Sequence, residues 1–184
     1  MSVYISLLRG INVGGSAKIA MADLRALYED LGFHDVTTYV QSGNVVFSAD
    51  EVDLPALARG IEQKMQAVWG FLVPVLMRTV DDFSRILTGN PFLSRPEVDP
   101  SKLHVTFLTA PAEESRLGGV ASPNVDGDEF AICGQEIFVY CPNGYGRTRL
   151  NNNFFEKKLA LPATTRNWNT VRELHRLAVE LAAR

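Results

Sequence analysis

Apolar and polar positions change period several times along the chain, and each change marks an element. Val3, Ile5 and Leu7 alternate with Tyr4, Ser6 and Leu8, a strand-like run that Gly10, Gly14 and Gly15 end. Leu24, Leu27, Tyr28 and Leu31 then recur at helical spacing up to Gly32. Val36–Val40 and Val45–Phe47 are β-rich runs around Ser42-Gly43, which predicts a hairpin. Leu54, Leu57, Ala58, Ile61, Met65 and Val68 form a second helical stripe that stops at Gly70, and Phe71–Met77 closes the set as a strand. The order βαββαβ is the split βαβ of ferredoxin-like folds, an antiparallel sheet with helices on one face. Pro74 fits that topology, because proline interrupts ladder bonding and belongs on an edge strand, where the fourth strand of this fold lies.

The second half follows a related plan. Thr79 to Leu87 reads as a linking helix, with Thr79 as N-cap and Asp82 three residues on. Gly89, Pro91, Pro96 and Pro100 punctuate the chain before a new strand, Leu103 to Thr109. A short helix near Ala112–Leu117, a Gly/Pro loop and a hairpin turning at Gly134-Gln135 come next, then two helices split by Pro162. The pattern predicts an α+β protein of two lobes. They are a ferredoxin-like unit over 1–78, a linking segment over 79–100, and a βαββα unit over 101–184 ending in a helix where a fourth strand would fall. The side chains themselves display no internal repeat.

Composition narrows the class. The 184 residues are 46% hydrophobic and 21% charged, enough to bury a core. No apolar run approaches the ~18 residues that span a bilayer, so no membrane association is expected. The start lacks a basic lead-in and there are only two cysteines, which points to a reducing cytoplasm. With Gly134-Gln135 at the turn, Cys133 faces Glu136, and Cys141 lies ~17 Å further along an extended strand, too far to bridge. Net charge is −3 but uneven. From Cys141 onward eight basic residues face three acidic ones, a net +5, against −8 over the first 140 residues. A basic tail on an acidic body can attract phosphates locally, and a solvated helical face would show the same run.

The chemistry-bearing segment is Arg9-Gly10-Ile11-Asn12-Val13-Gly14-Gly15-Ser16-Ala17-Lys18, which joins the first strand to the first helix. Its glycines allow backbone N–H groups to approach a ligand, the helix start behind it favours anions, and Arg9 and Lys18 add charge from either side. It is not a Walker loop, since a count from Gly10 puts Ser16 where that motif needs lysine, and its glycine spacing differs from the dinucleotide fingerprint. A glycine-rich turn chosen for geometry alone would look the same. The split βαβ topology brings the hairpin Gln41-Ser42-Gly43-Asn44 to the same sheet edge, gathering amide, hydroxyl and cationic groups there. Asn44 and Ser42 also suit the turn locally.

Val3-Tyr4-Ile5-Ser6-Leu7-Leu8 has the look of the first motif of RNA-recognition modules, but the third strand lacks the matching aromatics, which leaves Tyr4 as a packed sheet residue. Trp168, Val171, Leu174, Leu177, Ala178 and Leu181 give the last helix an apolar stripe, with Thr164, Thr165 or Asn167 as its N-cap. Arg166 beside that helix start is a cation at a positive helix end, disfavoured by roughly 0.3–1 kcal/mol unless offset, and so a further anion-site candidate. His34, His104 and His175 have no metal-ligand spacing, and no cofactor is implied. No catalytic acid–base pair stands out.

Arg-Gly-Ile-Asn-Val-Gly-Gly at 9–15, Gln-Ser-Gly-Asn at 41–44 and Ala-Thr-Thr-Arg-Asn-Trp-Asn-Thr at 163–170 together resemble a bacterial family known as domain of unknown function 1697. The resemblance runs nearly the whole length. It implies a cytosolic protein of two α+β lobes and brings no reaction, substrate or catalytic residue. The residues alone point first to binding of a phosphate-bearing small molecule or nucleic acid. Arg9, Lys18, Gly14 and Gly15 would hold the anion, Asn12, Gln41, Ser42 and Asn44 would select it, and Arg166 would join from the second lobe. Two other readings compete. One is an enzyme on a small phosphorylated metabolite, for which Asp23 and Ser42 are the candidate groups; the other is a structural or partner-binding protein.

Overall fold

The computed structural model describes residues 1–15, 17–50, 53–121 and 127–184. The expected Gly/Pro loop after residue 117 lies partly outside them. By backbone contacts the chain forms two compact units, Met1–Ser84 with Glu173–Arg184, and Arg85–Arg172.

In unit 1 the strands β1 (Ser2–Leu8), β2 (His34–Tyr39), β3 (Asn44–Ala49) and β4 (Val75–Thr79) form an antiparallel sheet of order β2-β3-β1-β4. Helices α1 (Met21–Asp30) and α2 (Leu54–Trp69) bury Leu24, Leu27, Tyr28, Ile61 and Met65 against Tyr4, Leu8, Val45 and Phe47. Asp53 caps α2 by accepting from Ala56 N at 3.1 Å, and Gly70 ends it in the left-handed conformation (φ 78°). Pro74 directly precedes the edge strand β4, so its missing N–H costs no ladder bond. On the opposite face, Thr37 and Val46 border a cavity of about 50 Å³ with Leu177 and Leu181. Those two belong to the last helix, α6 (Trp168–Ala182), whose residues from Glu173 onward fall in unit 1. The chain passes from one unit to the other within α3 (Val80–Gly89), between Ser84 and Arg85, and the helix is opened by the expected box: Thr79 N and Oγ1 donate to Asp82 Oδ2, and Asp82 N donates to Thr79 Oγ1.

Unit 2 contains β5 (Leu103–Leu108), the short α4 (Glu114–Leu117), β6 (Glu129–Cys133), β7 (Glu136–Tyr140), α5 (Asn152–Leu159) and β8 (Ala163–Asn167). Its order, β6-β7-β5-β8, is that of unit 1. The fourth strand that the sequence left out therefore exists: Ala163–Asn167 pairs with β5 from Leu108↔Ala163 to His104↔Asn167. Thr-Thr-Arg-Asn carries no apolar alternation and reads as a cap, yet tertiary pairing makes it an edge strand. Asn167 then caps α6 by accepting from Thr170 N at 2.8 Å. Cys133 faces Glu136 across the hairpin, and both cysteines are free.

The two units share individual hydrogen bonds as well as strand order. Leu8 N donates to Gly43 O (2.8 Å) as Leu108 N does to Gln135 O (2.8 Å), and Arg9 N donates to Pro74 O (2.9 Å) as Thr109 N does to Pro162 O (3.3 Å). Glu62 accepts from Val75 N at 2.8 Å, and Glu156 from Ala163 N at 2.8 Å. Arg78 and Arg166, each one residue before the helix-capping residue, are buried and donate to the preceding carbonyl, Met77 O at 2.8 Å and Thr165 O at 3.0 Å. One frame is built twice.

Candidate functional site

The β1–α1 connection and the β2–β3 hairpin meet at one end of the unit 1 sheet. Asn12 fastens them. Its Nδ2 donates to Ile19 O and to Gln41 O, both at 2.9 Å, while its Oδ1 accepts from Ile19 N at 2.9 Å. Asn12 N also donates to Ala17 O at 3.1 Å. One amide thus closes the loop on itself and ties it to the hairpin. Gly43 sits beneath this clip with φ 73°, and a Cβ there would lie 2.7 Å from both Ile11 Cδ1 and Leu8 Cβ. Glycine is required twice over, by conformation and by close approach.

The loop is unusually left-handed. Gly10, Asn12, Gly14, Gly15 and Ala17 all have positive φ, as does Val40 in the hairpin. Successive turns of this kind point backbone N–H groups into shared concavities. Helix α1 follows with Ala20 at its N-cap and no side-chain cap, so its first-turn N–H groups lack that partner; Asp23 lies in the same turn. Lys18, Gly14, Gly15 and Gln41 are exposed, and Arg9 and Ser42 half-buried.

Two residues expected to select a ligand are built into the frame. Asn44 is fully buried and donates from Nδ2 to Tyr39 O (3.0 Å) and Ser42 Oγ (2.9 Å). Asn12 is occupied by its three loop bonds. Arg166 lies in the other unit, within β8 and directly before Asn167, the N-cap of α6. It is buried, and its guanidinium donates to Thr164 Oγ1 at 2.7 Å and to Thr165 O. Burial pushes its pKa down to about 10, with Tyr145 working against that shift. The hydroxyl and carbonyl oxygens supply the offset that the expected dipole conflict called for.

Unit 2 also holds a polar cluster that the sequence pattern does not signal. His104 takes the place of Tyr4 and stacks on Tyr145 with ring centroids 4.5 Å apart. Its buried Nδ1 has no hydrogen-bond partner among the described residues, and desolvation holds its pKa below the ordinary value. Beside it in the strands, Thr106 Oγ1 and Thr165 Oγ1 lie 2.7 Å apart, and Thr165 donates on to Asn152 Oδ1 at 2.6 Å. The imidazole spacing gave no signal, because the partners come from strand, loop and helix. Among the described residues no group of His, Cys, Asp and Glu could hold a metal ion, and no helix is long and apolar enough to cross a membrane.

Two α+β units of one strand order, with a glycine-rich rim on the first, define the class of protein. The chain belongs to the family described as protein of unknown function (DUF1697), whose model matches residues 1–138. The motifs at 9–15 and 41–44 lie inside the matched stretch, and that at 163–170 beyond it. A solved structure described as conserved bacterial protein SP0830 from Streptococcus pneumoniae has the same fold. Its TM-score is 0.74 at 23% identity, over 96% of this chain and 98% of that one. No curated protein matches the chain.

Proposed function

We propose that unit 1 binds a phosphate-bearing ligand, a nucleotide or nucleic acid, on the rim formed by residues 9–15 and 17–20 and the hairpin at 40–43. The observation that carries this reading is internal to the molecule. Unit 2 makes the same strand-to-helix turn in five residues, Thr109–Glu113, with no glycine and no cation. Unit 1 uses twelve, with three glycines, Arg9 and Lys18. The frame therefore does not require the long loop, which argues against glycines chosen for geometry alone. Arg9 and Lys18 neutralise the anion, the N–H groups at Gly14-Gly15 and the start of α1 receive it, and Gln41 and Ser42 discriminate. Asn12 and Asn44 hold these groups in place.

The test is binding of labelled single-stranded RNA and DNA by anisotropy, and of a nucleotide by calorimetry, at two salt concentrations. Arg9→Ala and Lys18→Ala should each weaken binding roughly tenfold, as loss of one charge-assisted contact does. For a polynucleotide the salt slope should fall by roughly 0.7 per contact removed. Arg147→Ala with Arg149→Ala, exposed cations of unit 2, is the control and should leave binding unchanged. Equal losses in the control, or no binding by folded wild type, would refute the proposal.

A further inference from the structure

We infer that the ligand of this rim is a nucleoside phosphate whose base lies against Val13 and Val40. The inference rests on the phosphate reading and narrows it. Val13 is 64% exposed and Val40 50%. Each stands one residue from the Asn12–Gln41 clip, so both border the same rim. Val40 also has φ 50°, and it is the β-branched member of the described non-glycine residues with positive φ. A branched Cβ is poorly tolerated there, and glycine or asparagine would turn the hairpin without that conflict. The hairpin thus displays an apolar side chain to water in a conformation the side chain itself opposes. That is understandable where the surface is kept for contact.

Charge decides what makes the contact. Arg9 and Lys18 belong to the same loop, so the occupant is anionic and apolar at once. Val13 and Val40 offer two isopropyl groups, an apolar area on the scale of one flat ring and too small a patch for a protein partner. Gln41, exposed beside Val40, offers an amide donor and acceptor suited to the edge of a base.

Calorimetric titration of AMP, ribose 5-phosphate, inorganic phosphate and decyl phosphate tests this with wild type, Val40→Asn and Val13→Ser. Asparagine accepts a left-handed backbone, so Val40→Asn should fold with an unchanged or higher melting temperature. Wild type should bind AMP roughly tenfold tighter than ribose 5-phosphate, the worth of a partly buried ring on two valines. Both variants should bring that ratio toward one while binding of inorganic phosphate stays the same. Equal affinity of wild type for AMP and ribose 5-phosphate, or a ratio the variants leave intact, would overturn the inference and leave the phosphate reading standing. Decyl phosphate binding tighter than AMP would replace the nucleotide by a lipid phosphate. Failure of all four ligands to bind folded protein would overturn both.

Discussion

Replacing Gly43 by alanine tests the architecture of the rim directly. The new Cβ would stand 2.7 Å from Ile11 Cδ1 and from Leu8 Cβ, and the backbone would remain at φ 73°. Leu8 Cβ cannot move without moving β1, whose register with β3 runs from Ser2↔Ala49 to Leu7↔Asn44. The left-handed conformation costs an L-residue about 1–2 kcal/mol, and overpacking a rigid site about 1–3 kcal/mol more, giving about 2–5 kcal/mol in all. Gly10→Ala is the matched comparison, since it shares a positive φ of 76° but its Cβ would meet nothing within 4 Å. It should lose only the conformational part. Urea unfolding followed by far-UV circular dichroism gives both values from midpoint and slope. Equal losses in the two variants would refute the close packing of loop, hairpin and first strand on which the site depends.

Two further predictions concern the frame. Glu62→Ala leaves the buried Val75 N–H without its acceptor and should cost about 1–3 kcal/mol, whereas Glu62→Gln keeps an acceptor oxygen and should cost less; urea midpoints distinguish them. The folded-state pKa of His104 is depressed below 6.5 by burial, so the unfolded chain takes up its proton first as pH falls. Its stabilising effect is complete above about pH 6.5 and declines below, and His104→Tyr, the residue at the equivalent place in unit 1, should flatten that part of the stability–pH profile.

Much of the first unit was legible from periodicity. Strands at Val3–Leu8 and Val45–Phe47 and helices ending at Gly32 and Gly70 all follow from alternation, helical stripes and C-terminal glycines, because those signals are local. The strand Ala163–Asn167 was not. Apart from Ala163 its side chains are polar, and it is a strand because β5 offers an unpaired edge there.

The candidate site divides the same way. The sequence by itself determined that glycines and cations cluster after the first strand and that the chain has two α+β units, since both depend on residue type and spacing. The tertiary structure alone decided which of those residues face outward. Asn12 and Asn44, polar and turn-favouring in the sequence, became clips and a buried brace because backbone groups from distant segments needed partners. Arg166 was drawn into its own unit for the same reason, to meet Thr164 and Thr165. Val40, unremarkable among β-formers, acquired its interest only from a dihedral angle and an exposure. Residue identity sets what a side chain can bond, and the fold, by fixing what lies within about 3 Å, sets what it does bond.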